Sequence, residues 1–372
     1  MTERILWVLL TDRAGDNAQA LALARACRDF PGWRVIEKTL AVRRPHNLRT
    51  HGQLPGTDHV DLPRSDTLAA PWPDAVLSVG FISAPVAAWI KAQAASVRIV
   101  QLGRPRMADI HFDLLVSTPQ YRLPAGEKYL GVTLPLSLPD ESALDREADS
   151  WRGTFVTLPR PLVALAIGGQ EKNMVLTPDT VRDLLARVLR FTDCGTLVTM
   201  TSPRSPAWVN EVIASHAKAG QHFFPWNRDR PNPYRALLRL ADAFVTTNDS
   251  ASMAADALYG GRAVFIHEFP QQRKIRPWRE LLLARPRRAL LLHREERDYR
   301  GLPRDWIGRM TDALITRGWV SPNSSNRLFL QHLYRCGLVR PLPDRPDASL
   351  AAPPLPVEFP KVVARIRELV AS

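Results

Sequence analysis

Residues Asn232 to Ile266, NPYRALLRLADAFVTTNDSASMAADALYGGRAVFI, decide the fold. Tyr234 to Leu240 predicts a short helix, and Ala243 to Thr247 predicts a buried strand. The polar turn Asn248-Asp249-Ser250 then opens a helix of small residues that ends at Gly260-Gly261. A strand that runs into such a turn leaves backbone N–H groups at a positive helix end, which suits a phosphate or another anion. An ordinary capped helix is the alternative, because Ser and Asp are preferred N-cap residues.

The composition is that of a globular protein. The 372 residues are enough for two domains, and 45% of them are hydrophobic. No apolar run approaches the ~18–20 residues that cross a bilayer, and Ile5 to Leu10 is too short for a signal peptide. The cysteines form no CxxC pair and the histidines lack ligand spacing, so neither a disulfide framework nor a metal site is predicted. We therefore expect a cytoplasmic protein.

The net charge of +13 suits nucleic acid, an anionic membrane face or anionic small molecules. Basic residues are densest from Arg273 onward, and in Arg273–Arg288 they are mixed with Trp278 and leucines. This mixture predicts peripheral contact with the inner face of the membrane. A solvated basic face that contacts nothing is the alternative. Nucleic-acid binding is not expected, because no stacking or recognition motif accompanies the charge.

Apolar runs of strand length alternate with helical patterns along the chain. Strands are predicted at Ile5–Leu10, Val35–Leu40, Asp74–Val79, Val97–Leu102, Phe112–Ser117, Leu162–Ile167, Thr196–Met200, Gln221–Phe224 and Ala243–Thr247. Helices are predicted at Asn17–Arg28, from Ser83 as a cap to about Ala94, at Asp179–Phe191 and at Trp208–Ala217. Strands without polar alternation, separated by helices, predict parallel sheets covered on both faces.

The stretch from Ser137 to Pro161 is charged and proline-rich and shows no apolar period, so we expect the domain boundary there. The prediction is an N-terminal Rossmann-like domain over 1–150, a C-terminal one over 151–330, and a tail over 331–372. In the tail, Pro341 to Pro356 predicts an extended linker and Val357 to Val370 a terminal helix.

Polar turns follow the predicted strands in both halves. In open α/β sheets, ligands bind beyond the carboxyl ends of the strands. The six turns are Asp12–Asn17, Gly80-Phe81, Gly103–Arg106, Gly168–Lys172, Ser202–Arg204 and Asn248–Ser252. Their recurrence predicts two sheets that face each other across a ligand cleft.

The turns of the second half suit a nucleotide sugar. Gly169 permits close backbone approach to a phosphate, Lys172 or Arg204 can neutralise it, and Ser250 can hydrogen-bond to it. Asp256 can accept hydrogen bonds from ribose hydroxyls. The alternative for Lys172 and Arg204 is that they are solvated charges in loops. For Asp256 it is that the residue is an exposed polar residue on a helix.

The first turn offers a base. Asp12 and Asp16 flank Gly15, and either carboxylate could deprotonate an acceptor hydroxyl. Helix capping by Asp16 or Asn17 is the alternative. Because Gly15 stands alone, the turn is no dinucleotide fingerprint, which disfavours an NAD-dependent dehydrogenase or epimerase.

Several motifs together resemble the mitochondrial fission Elm family, whose plant members are named for elongated mitochondria. They are DRAGDNAQALALA, PDAVLSVG, QLGRPR with FDLLVSTPQY, IGGQEK, TSPRSP, PWN with NPYRALLRLADAFVTTNDSASMAADA, and Gly261–Val264. The match runs in order from the N-terminus to about Leu330. This chain departs from the family at Asp16, where His is common, and at Asp256, where Glu is common.

The resemblance implies a GT-B-like glycosyltransferase fold with C-terminal helices, the donor nucleotide on the C-terminal domain and the acceptor on the N-terminal one. By that likeness the donor side includes Gly168, Gly169, Arg204, Ser250, Ser252, Met253 and Asp256. With the turn residues added, the predicted binding residues are Gly15, Gly80, Gly168, Gly169, Lys172, Arg204, Asn248, Asp249, Ser250, Ser252, Met253 and Asp256.

We therefore predict a metal-independent glycosyltransferase with no permanently bound cofactor and Asp12 or Asp16 as its base. Basic side chains and a helix N-terminus would stabilise the departing diphosphate of a UDP-type nucleotide sugar. The expected acceptor is a lipid-linked or cell-envelope glycan at the cytoplasmic membrane face. A non-catalytic membrane-associated scaffold, as the plant relatives imply, is the alternative. A nucleoside-diphosphate-sugar epimerase is a weaker alternative because of the lone Gly15.

Overall fold

Strands and helices alternate through both halves of the chain. The computed structural model describes residues 3–44, 54–105, 107–121, 123–124, 126–137, 140–170, 174–216, 221–271, 313–314, 316–317, 325–345 and 349–371. The first half contains β1 (Arg4–Leu10), α1 (Ala14–Arg28), β2 (Trp33–Thr39), β3 (Ala75–Val79), α2 (Ser83–Gln93), β4 (Arg98–Leu102), β5 (Leu114–Ser117) and β6 (Tyr129–Gly131). The second half contains α3 (Glu141–Phe155), β7 (Leu162–Ile167), α4 (Pro178–Thr192), β8 (Thr196–Thr201), α5 (Ala207–Ser215), β9 (Gln221–Phe224), α6 (Tyr234–Leu240), β10 (Ala243–Thr247), α7 (Ala251–Tyr259) and β11 (Ala263–His267). After these come α8 (Asn326–Arg335), β12 (Arg340–Pro341) and α9 (Phe359–Ala371).

The described strands form two six-stranded sheets. Their orders are β2-β1-β3-β4-β5-β6 and β12-β11-β10-β7-β8-β9. Every neighbouring pair in both sheets is parallel. The predicted α/β class with two Rossmann-like domains is confirmed.

The central strands are buried on both faces, which explains their apolar sequences. Every residue of β3, β7, β8, β10 and β11 is buried. One face of the first sheet packs against α1 and α9, and the other packs against α2. Because helices cover both faces, only the strand ends are left for ligands.

The chain divides into two compact units. The first runs to Leu138 and takes in the C-terminal segment from Pro356, whereas the second contains Pro139–Ile275 and Phe329–Leu355. These units differ from the predicted limits of 1–150, 151–330 and 331–372, and residues 331–355 lie with the second unit rather than in a separate tail. Helix α3 belongs to the second unit, and α9 belongs to the first.

Helix α3 occupies a stretch in which we expected no apolar period. Asp140 caps it by accepting the N–H of Ala143 at 3.0 Å. Leu144, Ala148 and Phe155 are buried at spacings of four and seven residues, which is a helical repeat. The expectation was wrong because charged residues between these positions diluted the pattern.

Two helix starts also differ from the prediction. Helix α1 begins at Ala14 rather than Asn17, so Gly15 and Asp16 lie in its first turn. The Asn17 side chain exchanges two hydrogen bonds with the backbone of Thr11, at 2.9 and 2.7 Å, and so fixes the turn before the helix. Ser83 does not cap α2, because its hydroxyl bonds to the backbone of Val79 instead.

Helix α9 anchors the C-terminal segment to the first unit. Its buried face includes Val362 and Ile366, and Glu358 before it accepts the N–H groups of Thr133 and Leu134 at 2.5 and 3.1 Å. The helix is therefore part of the first unit's core.

We predict that Ile366→Ala lowers the unfolding free energy of the first unit by about 2–5 kcal/mol, because it opens a cavity in a packed core. Hydrogen exchange of the β1 and β3 amides, read by mass spectrometry, measures this change. Lys361→Ala, on the exposed face of the same helix, should stay within about 0.5 kcal/mol of the parent chain. Equal protection in the two variants would contradict the packing of α9.

Candidate functional site

Each sheet has a point at which its strand order reverses. In the first sheet the chain goes from β1 to β2 on one side and then crosses to β3, so the order reverses between β1 and β3. In the second sheet it reverses between β7 and β10. The connections leave the sheet in opposite directions there, which opens a crevice beyond the carboxyl ends of the two strands. The turns after these four strands carry most of the predicted site residues.

At the first reversal, Asp16 lies against Gly80. A Cβ atom at Gly80 would be 2.5 Å from Asp16 Oδ2, and the φ angle of 72° also requires glycine. Arg13 Nε lies 3.1 Å from the same Oδ2 atom. Burial raises the pKa of Asp16, against the opposing charge of Arg13. The result is a partly buried carboxylate with increased proton affinity, as a general base requires.

The other predicted base has a different setting. Asp12 is exposed and forms an ion pair with Arg44. A Cβ atom added at Gly15, in the first turn of α1, would meet no atom within 4 Å, so no close approach requires a glycine there. Of the two carboxylates that flank Gly15, Asp16 is the one beside the strand-order reversal between β1 and β3.

At the second reversal, the carboxylate of Asp249 organises the strand ends. Its Oδ2 atom accepts the N–H of Gly169 at 2.8 Å and a hydrogen bond from Arg204 at 3.2 Å. Its Oδ1 atom accepts the hydroxyl of Thr247 at 2.5 Å, and Thr247 in turn accepts the N–H of Gly168 at 3.0 Å. These bonds join the end of β7 to the end of β10.

The two glycines make room for these internal contacts. A Cβ atom at Gly168 would lie 1.9 Å from Asp249 Oδ2, and one at Gly169 would lie 2.5 Å from the carbonyl oxygen of Arg204. The N–H of Gly169 thus points at the protein's own carboxylate. Its predicted contact with a phosphate remains a prediction, and the structure supplies an internal reason for both glycines.

The environment of Asp249 affects both its own charge and Arg204. Burial raises the pKa of Asp249, and hydrogen bonds from Thr247 and Gly169 and the charge of Arg204 oppose that rise. The Arg204 side chain is 57% exposed, so it extends into solvent while Asp249 holds one of its nitrogens. A guanidinium fixed at one end and open at the other can still donate to an anion.

The start of α7 supplies further donors. Ser250 accepts the N–H of Met253 at 3.5 Å, and its hydroxyl lies 3.2 Å from that of Ser252. The first N–H groups of a helix have no acceptor inside it, and Ser252 is exposed there. Asn248 instead accepts the N–H of Phe269 at 3.3 Å and so fixes the neighbouring turn after β11.

Asp256 has a partner that the sequence did not predict. The Tyr234 hydroxyl on α6 donates to Asp256 Oδ2 on α7 at 3.0 Å. Burial raises the pKa of Asp256 and that of Tyr234. This bond fixes the carboxylate that we expect to meet a ribose.

Two predicted features lie outside the described residues: Lys172 and the basic segment Arg273–Arg288. Within the described ranges, no cluster of three or more His, Cys, Asp or Glu side chains could hold a metal ion. None of the helices described there is long and apolar enough to cross a membrane.

A small cavity in the first unit was missed by the sequence analysis. It has a volume of about 80 Å³ and lies beyond the ends of β3, β4 and β5. Among the described residues, its polar lining consists of Asp16, Gln19, Ser117, Thr118, Gln120 and Tyr121. The rule that selected the other strand-end turns would have found Ser117 and Thr118, since they end β5 and start the following turn.

Sequence comparisons give one family. The family model described as "Mitochondrial fission ELM1" matches residues 14–302. A mitochondrial fission protein ELM1 of Arabidopsis thaliana is 28% identical over 216 residues, covering 51% of this chain and 50% of the plant protein. An uncharacterized protein of Rickettsia prowazekii is 22% identical over 296 residues, covering 70% of this chain and 82% of that protein. The chain thus spans about half the length of its plant relative.

Solved structures with a similar course of the chain include two epimerases and a transferase. UDP-GlcNAc 2-epimerase from Neisseria meningitidis, bound to UDP-GlcNAc, has a TM-score of 0.46 at 11% identity, covering 72% of this chain and 84% of its own. The enzyme of the same name from Methanocaldococcus jannaschii has a TM-score of 0.45 at 10% identity, covering 71% and 83%. A UGT transferase from Siraitia grosvenorii in complex with UDP has a TM-score of 0.40 at 11% identity, covering 73% and 82%. Similarity at this level adds nothing to what the strand order shows.

We predict that Gly168→Ala destabilises the second unit by about 1–3 kcal/mol or more, because the new methyl group collides with Asp249. Gly15→Ala is the matched control, since its methyl group meets no atom within 4 Å and Ala is the better helix former. That variant should keep the parent stability or gain up to about 1 kcal/mol. Urea denaturation measures both, and equal stability of the two variants would contradict the Asp249 contact.

We also predict a pH-dependent stability effect of Asp16→Asn. Since burial raises the pKa of Asp16, the fold binds its proton more tightly than the unfolded chain does. That stabilisation is present below the ordinary value of 3.8 and is lost as pH rises through the raised pKa. The Tm of Asp16→Asn should therefore rise relative to the parent chain across this window and then level off.

Thermal unfolding from pH 3.5 to 8 checks this, with Asp149→Asn on the exposed face of α3 as the baseline. If the Tm of Asp16→Asn minus that of the parent chain fell with rising pH, the raised pKa of Asp16 would be contradicted.

Proposed function

We propose that this chain, which belongs to the mitochondrial fission ELM1 family, is a nucleotide-sugar-dependent glycosyltransferase. The family membership confirms the resemblance found in the sequence. One observation carries the proposal: both sheets reverse their strand order beside turns that carry polar side chains. Such reversals are where open α/β sheets bind their ligands.

The second unit suits the donor. Read from β9 to β12, its strands follow the order 3-2-1-4-5-6 that is typical of nucleotide-binding Rossmann folds. The open side of Arg204, the first turn of α7 and the Ser252 hydroxyl can together bind a diphosphate. Asp256, held by Tyr234, can accept hydrogen bonds from ribose. The same positive groups would stabilise the diphosphate as it leaves.

The first unit suits the acceptor. Asp16 has the burial and the raised pKa of a general base, and it lines a cavity that can hold part of a second substrate. Asp12, paired with Arg44, is the other candidate base. We further propose that the acceptor is a lipid-linked or cell-envelope glycan at the cytoplasmic membrane face. That part rests on the basic composition of Arg273–Arg288.

A non-catalytic membrane-associated scaffold is the second candidate. The observation in its favour is Asp249, because its carboxylate already takes the N–H of Gly169 and one nitrogen of Arg204. A negative charge at this point opposes a bound phosphate. An epimerase would use the same nucleotide groups and would differ by converting the sugar without an acceptor.

Calorimetric titration with UDP and UDP-sugars tests the leading proposal. We expect the parent chain to bind UDP and Arg204→Ala to bind about tenfold more weakly, which is roughly 1.4 kcal/mol. Arg190→Ala removes an exposed charge from the last turn of α4, at the opposite end of the sheet, and should leave binding unchanged. If no nucleotide or nucleotide sugar binds, the transferase is excluded.

The scaffold makes the opposite prediction in cells. Arg204→Ala and Asp256→Ala should then preserve function, while deletion of Arg273–Arg288 should abolish it. If the protein is a transferase, Arg204→Ala and Asp256→Ala should instead lose function. A complementation assay therefore separates the transferase from the scaffold.

A further inference from the structure

Two residues that line the cavity of the first unit have buried hydroxyl groups without partners among the described residues. Ser117 and Thr118 are 4% and 5% exposed. Neither Ser117 Oγ nor Thr118 Oγ1 has a hydrogen-bond partner among the described residues. Buried polar atoms in proteins are nearly always paired, because an unpaired one destabilises the fold. Two adjacent exceptions that line the same cavity therefore indicate a ligand.

Two other polar side chains of the cavity, those of Tyr121 and Asp16, contact other parts of the first unit. Tyr121 lies over Gly103, where an added Cβ would be 3.9 Å from its ring. Asp16 rests against Gly80 and pairs with Arg13. The two hydroxyls thus differ from Tyr121 and Asp16, which contact other described residues.

The charge of the lining limits the ligand. Asp16 is the one acidic or basic side chain that lines the cavity within the described residues. No basic side chain in that lining can pair with a phosphate or carboxylate, and Asp16 would repel one. Two hydroxyls and two glutamine amides are, by contrast, suited to a neutral group with several hydrogen-bonding oxygens.

The size of the cavity sets the scale of that group. One water needs roughly 10–15 Å³ of such volume, and the cavity has about 80 Å³. It therefore holds several non-hydrogen atoms, as in part of a sugar ring with its substituents, but no whole nucleotide.

We propose that this cavity binds part of a neutral sugar ring of the acceptor, with Ser117 Oγ and Thr118 Oγ1 hydrogen-bonded to its oxygens and one sugar hydroxyl directed at Asp16. The inference rests on the proposed function and adds to it the class of acceptor. Ser117 and Thr118 then determine specificity, and the sugar supplies the hydrogen-bond partners that the described residues do not.

The experiment measures glycoside binding by saturation-transfer NMR and thermal stability as the Tm, both on the full chain. The probes are methyl glycosides of glucose, galactose, mannose and N-acetylglucosamine at up to 20 mM, with glucuronic acid and glucosamine as charged probes. We expect at least one neutral glycoside to bind, and Ser117→Ala and Thr118→Val to weaken it tenfold or more. The Tm of these variants should be unchanged or higher, since each removes an unpaired buried hydroxyl.

Ser78→Ala is the matched control. Ser78 is fully buried on β3 outside the cavity lining, and its hydroxyl donates to Gln101. This variant should lower the Tm and leave glycoside binding intact. A loss of Tm in Ser117→Ala or Thr118→Val equal to that of Ser78→Ala would make the two hydroxyls structural and overturn the proposal.

The binding outcomes separate this inference from the proposed function. If UDP binds but no neutral glycoside does, the cavity assignment fails and the donor site stands. If a glycoside binds through the two hydroxyls but UDP does not, the transferase fails and the sugar site stands. Tighter binding of glucuronic acid or glucosamine than of any neutral glycoside overturns the assignment to a neutral ring.

Discussion

The carboxylate of Asp249 is buried at the carboxyl edge of the second sheet, and the geometry around it follows from that burial. A carboxylate removed from water requires hydrogen-bond donors, and here Gly169, Thr247 and Arg204 supply them. Gly168 must lack a side chain because the carboxylate fills that space. The position of Arg204 and the path of the turn after β7 therefore depend on one buried charge. Asp249 directly precedes Ser250, whose side chain accepts the N–H of Met253 and caps α7.

The first unit uses a carboxylate in a different way. Asp16 also lies against a glycine at a strand-order reversal, but Arg13 is its one ion-pair partner among the described residues. Asp249 is surrounded by donors and joins two strand ends, whereas Asp16 also faces a cavity. We interpret the first arrangement as one that orients a cation for a donor phosphate, and the second as one that leaves a base available to an acceptor.

Much of the fold could be predicted from the sequence, because the strands are short apolar runs that end at glycine or polar turns. Nine of the twelve described strands and most of the described helices follow from that pattern, whereas β6, β11 and β12 were not predicted. Helix α3 did not, since three buried residues among many charged ones carry a weak signal. The same rule selects the candidate site, because the strand-order reversals lie where the polar turns are. The roles of the individual site residues were harder to predict. A glycine that allows a close approach looks the same in the sequence whether the approaching group is a phosphate or the Asp249 carboxylate. The bond from Gly169 to Asp249 joins residues 80 positions apart, and no local pattern reports it. Ser117 and Thr118, by contrast, could have been selected as polar residues at a strand end, but they were not.

The central claim is that a nucleotide diphosphate binds beside the β7–β10 reversal, with Asp249 as the internal support of its site. A crystal structure of the chain soaked with UDP tests this most directly. We expect diphosphate density against Arg204 and the first turn of α7, with the bond between Asp249 and Gly169 retained. Density elsewhere, or a diphosphate that displaces the Asp249 carboxylate from Gly169, would contradict it.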